Sequence, residues 1–316
     1  MYQQRPNISY PTQLGILIGL VGAGLLFGGI LSVAIMFSQL GMAKAQDVNQ
    51  LLKPENVNMI RWLQIISTFF MFFIPAVIFA RIVSKKPFQY LGYNHWIKLE
   101  QAALVIVIMI ACLPVVGALG ELTEKIPLSP ALAKRFKDAE DSYEKQVELI
   151  MAMKNSADYI WSMLIVAILP AVFEETLFRG GLQNVLTRWT KLPVLAIILT
   201  SIVFSAVHFS FYGFFARAAL GIVLGMIYYY SGNIWLNIIA HLFNNGAAVT
   251  FMYVKTMKTG KIPDKELEST MPLWSGAIAV VILAGLIIAF IRVSKPVKAK
   301  IEQEAAAPEE DNWMNL

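Results

Sequence analysis

The chain has 316 residues, 57% of them apolar and only 15% charged, with a net charge of +5 and a single cysteine, Cys112. An average soluble domain carries about 25% charged residues. This composition, with a mean hydropathy of +0.60, therefore excludes a soluble enzyme, a disordered chain and a disulfide scaffold. One cysteine also excludes an intramolecular disulfide and a multi-cysteine zinc or iron–sulfur site. The basic residues stand in short pieces between apolar runs, which suits anionic lipid headgroups and not nucleic acid.

A spanning helix needs about 20 mostly apolar residues. Charge-free runs of that kind recur along the chain, and one of them, Ala218–Val254, is too long for one span and is broken by the turn signal Ser231-Gly232-Asn233. The pattern predicts an all-α, polytopic membrane protein with eight spans, at roughly 14–40, 62–83, 102–120, 157–177, 192–210, 213–230, 233–254 and 273–293. Lipid cannot satisfy an open strand edge, and no alternating barrel pattern is present. Ala43-Lys44-Ala45 superficially resembles a signal-peptide cleavage site. The apolar stretch before it is about 27 residues long, however, where a signal core has about 7–15, so the first run reads as a retained helix.

Four regions follow. Residues 1–120 carry three transmembrane helices, and 121–156 form a charged segment. Residues 157–293 are the candidate catalytic membrane core, and 294–316 are a basic then acidic tail read as disordered. In the second region Phe136, Ala139, Tyr143, Val147, Ile150 and Met151 recur at helical spacing. This predicts an amphipathic helix lying on the membrane or capping the domain. Eight spans put both termini on one side. Lys85 and Lys86, with Arg292, Lys295, Lys298 and Lys300, favour that side being cytoplasmic. Lys125, Lys134, Arg135, Lys137, Lys145 and Lys154 after the third span oppose it.

Several polar residues fall where lipid should be. The fourth span leads into Glu174-Glu175-Thr176-Leu177-Phe178-Arg179. A carboxylate at a helix centre costs about 2.5–3.5 kcal/mol even on the gentler insertion scales. Glu175 and Arg179 are four apart and can pair, while Glu174 is turned about 100° away. The expectation is one carboxylate held by the arginine and the other facing elsewhere. Pro75, Pro114 and Pro170 predict kinks, and a kink at Pro170 turns Glu174 toward a cavity. His95 lies in a polar loop. His208 ends the fifth span, and His241 lies inside the seventh with Asn245 one turn beyond on the same face. Phe209, Phe211, Tyr212, Phe214 and Phe215 read as an interfacial belt or a hydrophobic groove. Arg217 reads as an interfacial anchor or a substrate contact.

Glutamate, two histidines and an amide suit hydrolysis by activated water. A Glu–His pair can polarise and deprotonate water, and a second histidine with an asparagine amide can hold the developing oxyanion. No His-Glu-x-x-His or Gly-x-Ser-x-Gly motif occurs. The Gly-x-Ser-Gly of rhomboid-type proteases and the Gly-x-Gly-Asp of intramembrane aspartyl proteases are also missing.

The blocks Glu174-Glu175-x-x-x-Arg179, Phe204-x-x-x-His208 and His241-x-x-x-Asn245, in that order over about residues 157–254, resemble the three signature motifs of the CAAX protease and bacteriocin-processing family. That family, also called Abi, includes the type II CAAX prenyl endopeptidases. The resemblance implies an intramembrane glutamate-dependent endopeptidase with a conical cavity open to the cytosol. It implies that Glu174 and His208 activate water, that His241 and Asn245 form the oxyanion hole, and that Glu175 and Arg179 support the site. No cofactor is expected, although a divalent metal on Glu174, His208 and His241 stays open because some members have been described as metalloproteases. The implied partners are the lipid bilayer and a membrane-associated protein or peptide substrate, possibly lipidated. The implied location is the cell membrane. Two alternatives remain: a non-catalytic immunity or scaffold protein, and a proton-coupled transporter with an acid–histidine relay.

Overall fold

The computed structural model describes residues 8–259 and 271–306. Among the described residues nine principal helices make up the fold. They are α1 (Tyr10–Leu40), α2 (Pro54–Val83), α3 (Leu99–Glu124), α4 (Pro130–Ile150), α5 (Ser156–Thr190), α6 (Pro193–Ala206), α7 (Phe214–Ser231), α8 (Ile234–Thr259) and α9 (Leu273–Ala306). The protein is all-α, as the composition predicts.

Local sequence sets the helix boundaries. Ser9 caps α1, Ser129 caps α4 just before Pro130, and Asn155 caps α5 by accepting from the backbone of Ala157 and Asp158. Gly232, at φ +66°, closes α7 in the left-handed conformation that glycine adopts without strain. Its carbonyl accepts from Asn94 Nδ2, tying the α7–α8 turn to the α2–α3 loop.

Six of the helices, α1, α2, α3, α5, α7 and α9, are long and apolar enough to cross a membrane. The predicted count of eight is not reached by that measure. The fifth expected span is the helix α6, which has only 14 residues, about 21 Å at 1.5 Å per residue. The seventh is the 26-residue α8, whose length suffices. Its asparagines and histidine dilute its hydropathy.

Two boundaries need correction. The tail expected to be disordered from residue 294 is helical as far as Ala306, because α9 continues beyond the apolar run. Gln101 Nε2 donates to Ser294 Oγ, Lys298 Nζ donates to the Tyr229 carbonyl, and Trp96 Nε1 donates to Glu304. These bonds hold the extension against α3, α7 and the α2–α3 loop. The acidic end, Glu309, Glu310 and Asp311, lies outside the described residues. The fourth span runs on from the expected 177 to Thr190.

Two stretches of α5 are wound as π-helix, Met163–Ile168 and Thr176–Gln183, and a third such stretch, Phe69–Phe73, lies in α2. Prolines explain two of them. Pro170 and Pro75 have no N–H, so the carbonyls of Val166 and Met71, four residues earlier, lose their helical donor and the turn widens. In the second stretch Gly180 lets α5 approach the α2–α3 loop, since a Cβ there would lie 2.7 Å from the Leu91 carbonyl oxygen.

The amphipathic segment forms α4, whose polar residues are largely solvated. It packs on α2, and Arg61 from α2 bonds to Asp158 and to the Ile150 carbonyl at the α4–α5 junction. One end of the bundle gathers the α1 N-terminus, the α2–α3 loop, the α5–α6 and α7–α8 turns and the end of α9. The other end gathers α4, the α6–α7 turn and the start of α5.

Candidate active site

A cavity of about 650 Å³ lies toward the α4 end of the bundle, with Tyr143, Gln146, Val147 and Ile150 of α4 in its wall. Its wall includes Glu174 from α5, His208 from the α6–α7 turn, and His241, Asn244 and Asn245 from α8. All four residues expected to be catalytic therefore meet in one space, although they come from three separate parts of the chain. Arg217 and Phe209 also reach the wall. The aromatic run is thus not uniformly a lipid belt: Phe209 faces the cavity, while Phe211 stacks on Phe136 of α4 with ring centroids 4.4 Å apart.

The two adjacent glutamates differ sharply. Glu175 is wholly buried and its oxygens are taken. Its Oε1 receives Arg179 Nη1 at 3.0 Å and His241 Nδ1 at 2.9 Å, and its Oε2 receives Asn237 Nδ2 at 3.2 Å. Arg179, also wholly buried, donates onward to the Gly221 carbonyl. Phe204 lies over its guanidinium at 4.7 Å and contacts both histidine rings edge-on, which keeps water from the ion pair. Glu174 is 8% exposed, and its Oε2 has no hydrogen-bond partner. That oxygen lies 3.9 Å from His241 Nε2. The expectation of one held and one unheld carboxylate is met.

The histidine tautomers follow from their partners. His208 Nδ1 lies 2.8 Å from the Phe204 carbonyl oxygen. A carbonyl only accepts, so Nδ1 carries the hydrogen and Nε2 of the neutral ring keeps its lone pair. His241 Nδ1 faces the Glu175 carboxylate in the same way, so its Nε2 is the nitrogen turned to the Glu174 side.

Asn245 has a structural task as well as its place on the wall. Its Nδ2 donates to the Val166 carbonyl at 3.0 Å, the oxygen that Pro170 leaves without a helical donor. Its Oδ1 accepts from Asn244 at 3.1 Å. The amide is thus fixed in orientation with one N–H left over.

Asn237 was missed by the sequence reading. It stands four residues before His241, as Asn245 stands four after, so the face Asn237-x-x-x-His241-x-x-x-Asn245 carries the signal. Asn237 also donates to the Leu224 carbonyl at 2.7 Å, joining α8 to α7 beside Glu175.

Among the described residues no three His, Cys, Asp or Glu side chains are grouped as a metal ion would require.

Fold and site together define a multi-pass membrane protein whose helices bury a carboxylate–histidine–amide cluster beside a cavity. Residues 156–247 match the family model described as type II CAAX prenyl endopeptidase Rce1-like. The resemblance to the CAAX protease family carried by the three motifs is thus shown over the segment that holds the cluster. That match supports a CAAX-type intramembrane protease at the level of the family. No curated protein and no solved structure matches the chain.

Proposed function

We propose that the protein is a glutamate-dependent endopeptidase of the cell membrane that hydrolyses a peptide bond in a membrane-associated protein or peptide. The observation that carries this reading is the buried Glu174 carboxylate, with an oxygen left unpartnered at the cavity wall while its neighbour Glu175 is saturated. An idle buried acceptor is costly, and a carboxylate in this setting is suited to take a proton from water.

In this mechanism Glu174 and the His208 Nε2 lone pair orient a water and accept its proton as its oxygen attacks the scissile carbonyl. The carbonyl π pair moves onto oxygen. The spare N–H of Asn245, and His241 Nε2 when that ring carries both protons, donate to the oxyanion. Collapse breaks the C–N bond, and the proton taken from water passes to the leaving amine. Glu175 and Arg179 act through His241 by fixing its ring. Nothing in the site selects a prenylated substrate over an unmodified one.

The test is comparative membrane proteomics of cells with the wild-type protein against cells with Glu174→Ala. A membrane polypeptide should persist uncut in the variant. Turnover of a quenched peptide spanning that cut should be lost equally in Glu174→Ala, His208→Ala and the double variant, because residues acting as a unit are not additive. An active, folded Glu174→Ala would overturn the reading.

A further inference from the structure

The amphipathic helix α4 carries one carboxylate that its solvated surface does not explain. Glu140 is 6% exposed. Among the described residues no cation pairs with it. Both its oxygens instead lie within reach of one hydroxyl, Ser210 Oγ, at 3.0 and 2.7 Å. Ser210 is itself 4% exposed and stands two residues after His208.

The α6–α7 turn around Ser210 is short and strained. Phe209, between His208 and Ser210, sits at φ +52°, a left-handed conformation that bulky residues seldom adopt. Its side chain is 84% exposed, so its own packing does not hold it there. Such strain persists only where surrounding contacts over-determine it. The contacts present are those of Ser210 and its neighbours. Ser210 Oγ accepts from the Gly213 amide at 3.2 Å, the Ser210 carbonyl accepts from Arg217 Nη2 at 3.3 Å, and Phe211 stacks on Phe136 with the rings 2° from parallel. Glu140 and Phe136 lie four residues apart on α4, so one helix face grips the turn at two successive places.

We infer that Glu140 is a positioning residue: its carboxylate, through the Ser210 hydroxyl, fixes the turn that carries His208. This rests on the reading of His208 as a water-activating group. The amphipathic helix is then part of the catalytic apparatus, although it supplies no group to the reaction. Misplacing such a group by about 1 Å can cost on the order of 100-fold in rate.

The geometry asks for an acceptor at this position and not for a charge. Glu140→Gln keeps an oxygen that can accept from Ser210. Glu140→Asp keeps the charge but withdraws it by one methylene. Turnover of the peptide recovered by the membrane comparison should therefore stay near wild type in Glu140→Gln. It should fall about 10- to 100-fold in kcat, with KM little changed, in Glu140→Asp and Ser210→Ala, and the pair of changes together should be no worse than either. Glu148→Ala, an exposed acid on the same helix, serves as the unchanged control.

A second readout does not depend on turnover. Ethoxycarbonylation of histidine by diethyl pyrocarbonate, followed by mass spectrometry, should be several-fold faster at His208 in Glu140→Asp and Ser210→Ala, with exposed His95 as internal reference. If both rates and both kinetic constants in the folded Asp variant match wild type, the inference fails while the proposed function stands. If Asp is active and Gln is not, charge and not the hydrogen bond is at work, and the inference also fails. If His208 reactivity rises but Glu174→Ala retains turnover, the coupling is upheld and the proposed function is what falls.

Discussion

Asn245 has two tasks that a single substitution confounds. Asn245→Ala removes the side-chain donor of the Val166 carbonyl, which the N–H-less Pro170 cannot replace. An unsatisfied buried acceptor costs about 1–3 kcal/mol. On the proposed mechanism the same change removes an oxyanion donor, which costs about 10²–10³ in kcat. The two effects separate in a cycle with Pro170→Ala. That change returns an N–H at position 170, four residues after Val166, and so offers that carbonyl a helical donor. In the double variant the melting temperature should recover most of what Asn245→Ala loses, and kcat should stay down by the full factor. Melting and single-turnover kinetics in one detergent measure both quantities. If turnover recovers in step with the melting temperature, the amide only braces α5 against α8, and the oxyanion assignment is refuted.

Arg179→Ala leaves Glu175 and its proton-sharing partner His241 buried without their cation, at a cost of about 3–5 kcal/mol for a fully buried pair. Melting temperature and turnover should fall together, and an inactive variant of unchanged stability would move Arg179 into direct catalysis. Dialysis of the purified protein against a strong chelator should leave most turnover, since water activation needs only Glu174 and His208 in this mechanism. Loss of activity restored by one specific divalent ion would overturn that.

Much of the site was legible because lipid makes polar residues conspicuous. Glu174, Glu175, Arg179, His208 and His241 stand out from apolar runs, and four-residue spacing alone gives the Glu175–Arg179 pair. Spacing could not tell which glutamate would be saturated. That depends on Asn237 from α8 and on the carbonyl of Gly221 in α7, both remote in sequence. The extra backbone task of Asn245 follows from a proline 75 positions earlier and needs the α5–α8 contact to be seen. Length and hydropathy confirm six of the eight expected spans, because α6 is short and α8 carries the polar residues of the site, which hydropathy penalises. The tail was misread because a composition rich in lysine, glutamate and alanine is equally that of a good helix, and α9 gives it a helix to extend.

Orientation is where two expectations collide. The termini lie at one end of the bundle and the cavity lies toward the other, where α4 lines it, so cytoplasmic termini conflict with a cytosol-facing cavity. Charge does not favour the termini once the helices are placed. Lys85, Lys86, Lys98, Lys191, Arg292, Lys295, Lys298 and Lys300 at their end are matched by Lys44, Lys53, Lys125, Lys134, Arg135, Lys137, Lys145 and Lys154 at the cavity end, and acids weigh little in the rule. The resemblance, carried by the segment that builds the cavity, implies a cytosolic cavity, and on that reading the cavity end is the cytosolic face. A single cysteine at exposed Lys85 should then react with a membrane-impermeant maleimide in intact cells. One at exposed Lys44 should react only after permeabilisation, and the native Cys112 is buried and gives little background. The reverse pattern would put the termini in the cytoplasm and the active-site mouth outside, and would confine substrates to polypeptides exposed on that outer face.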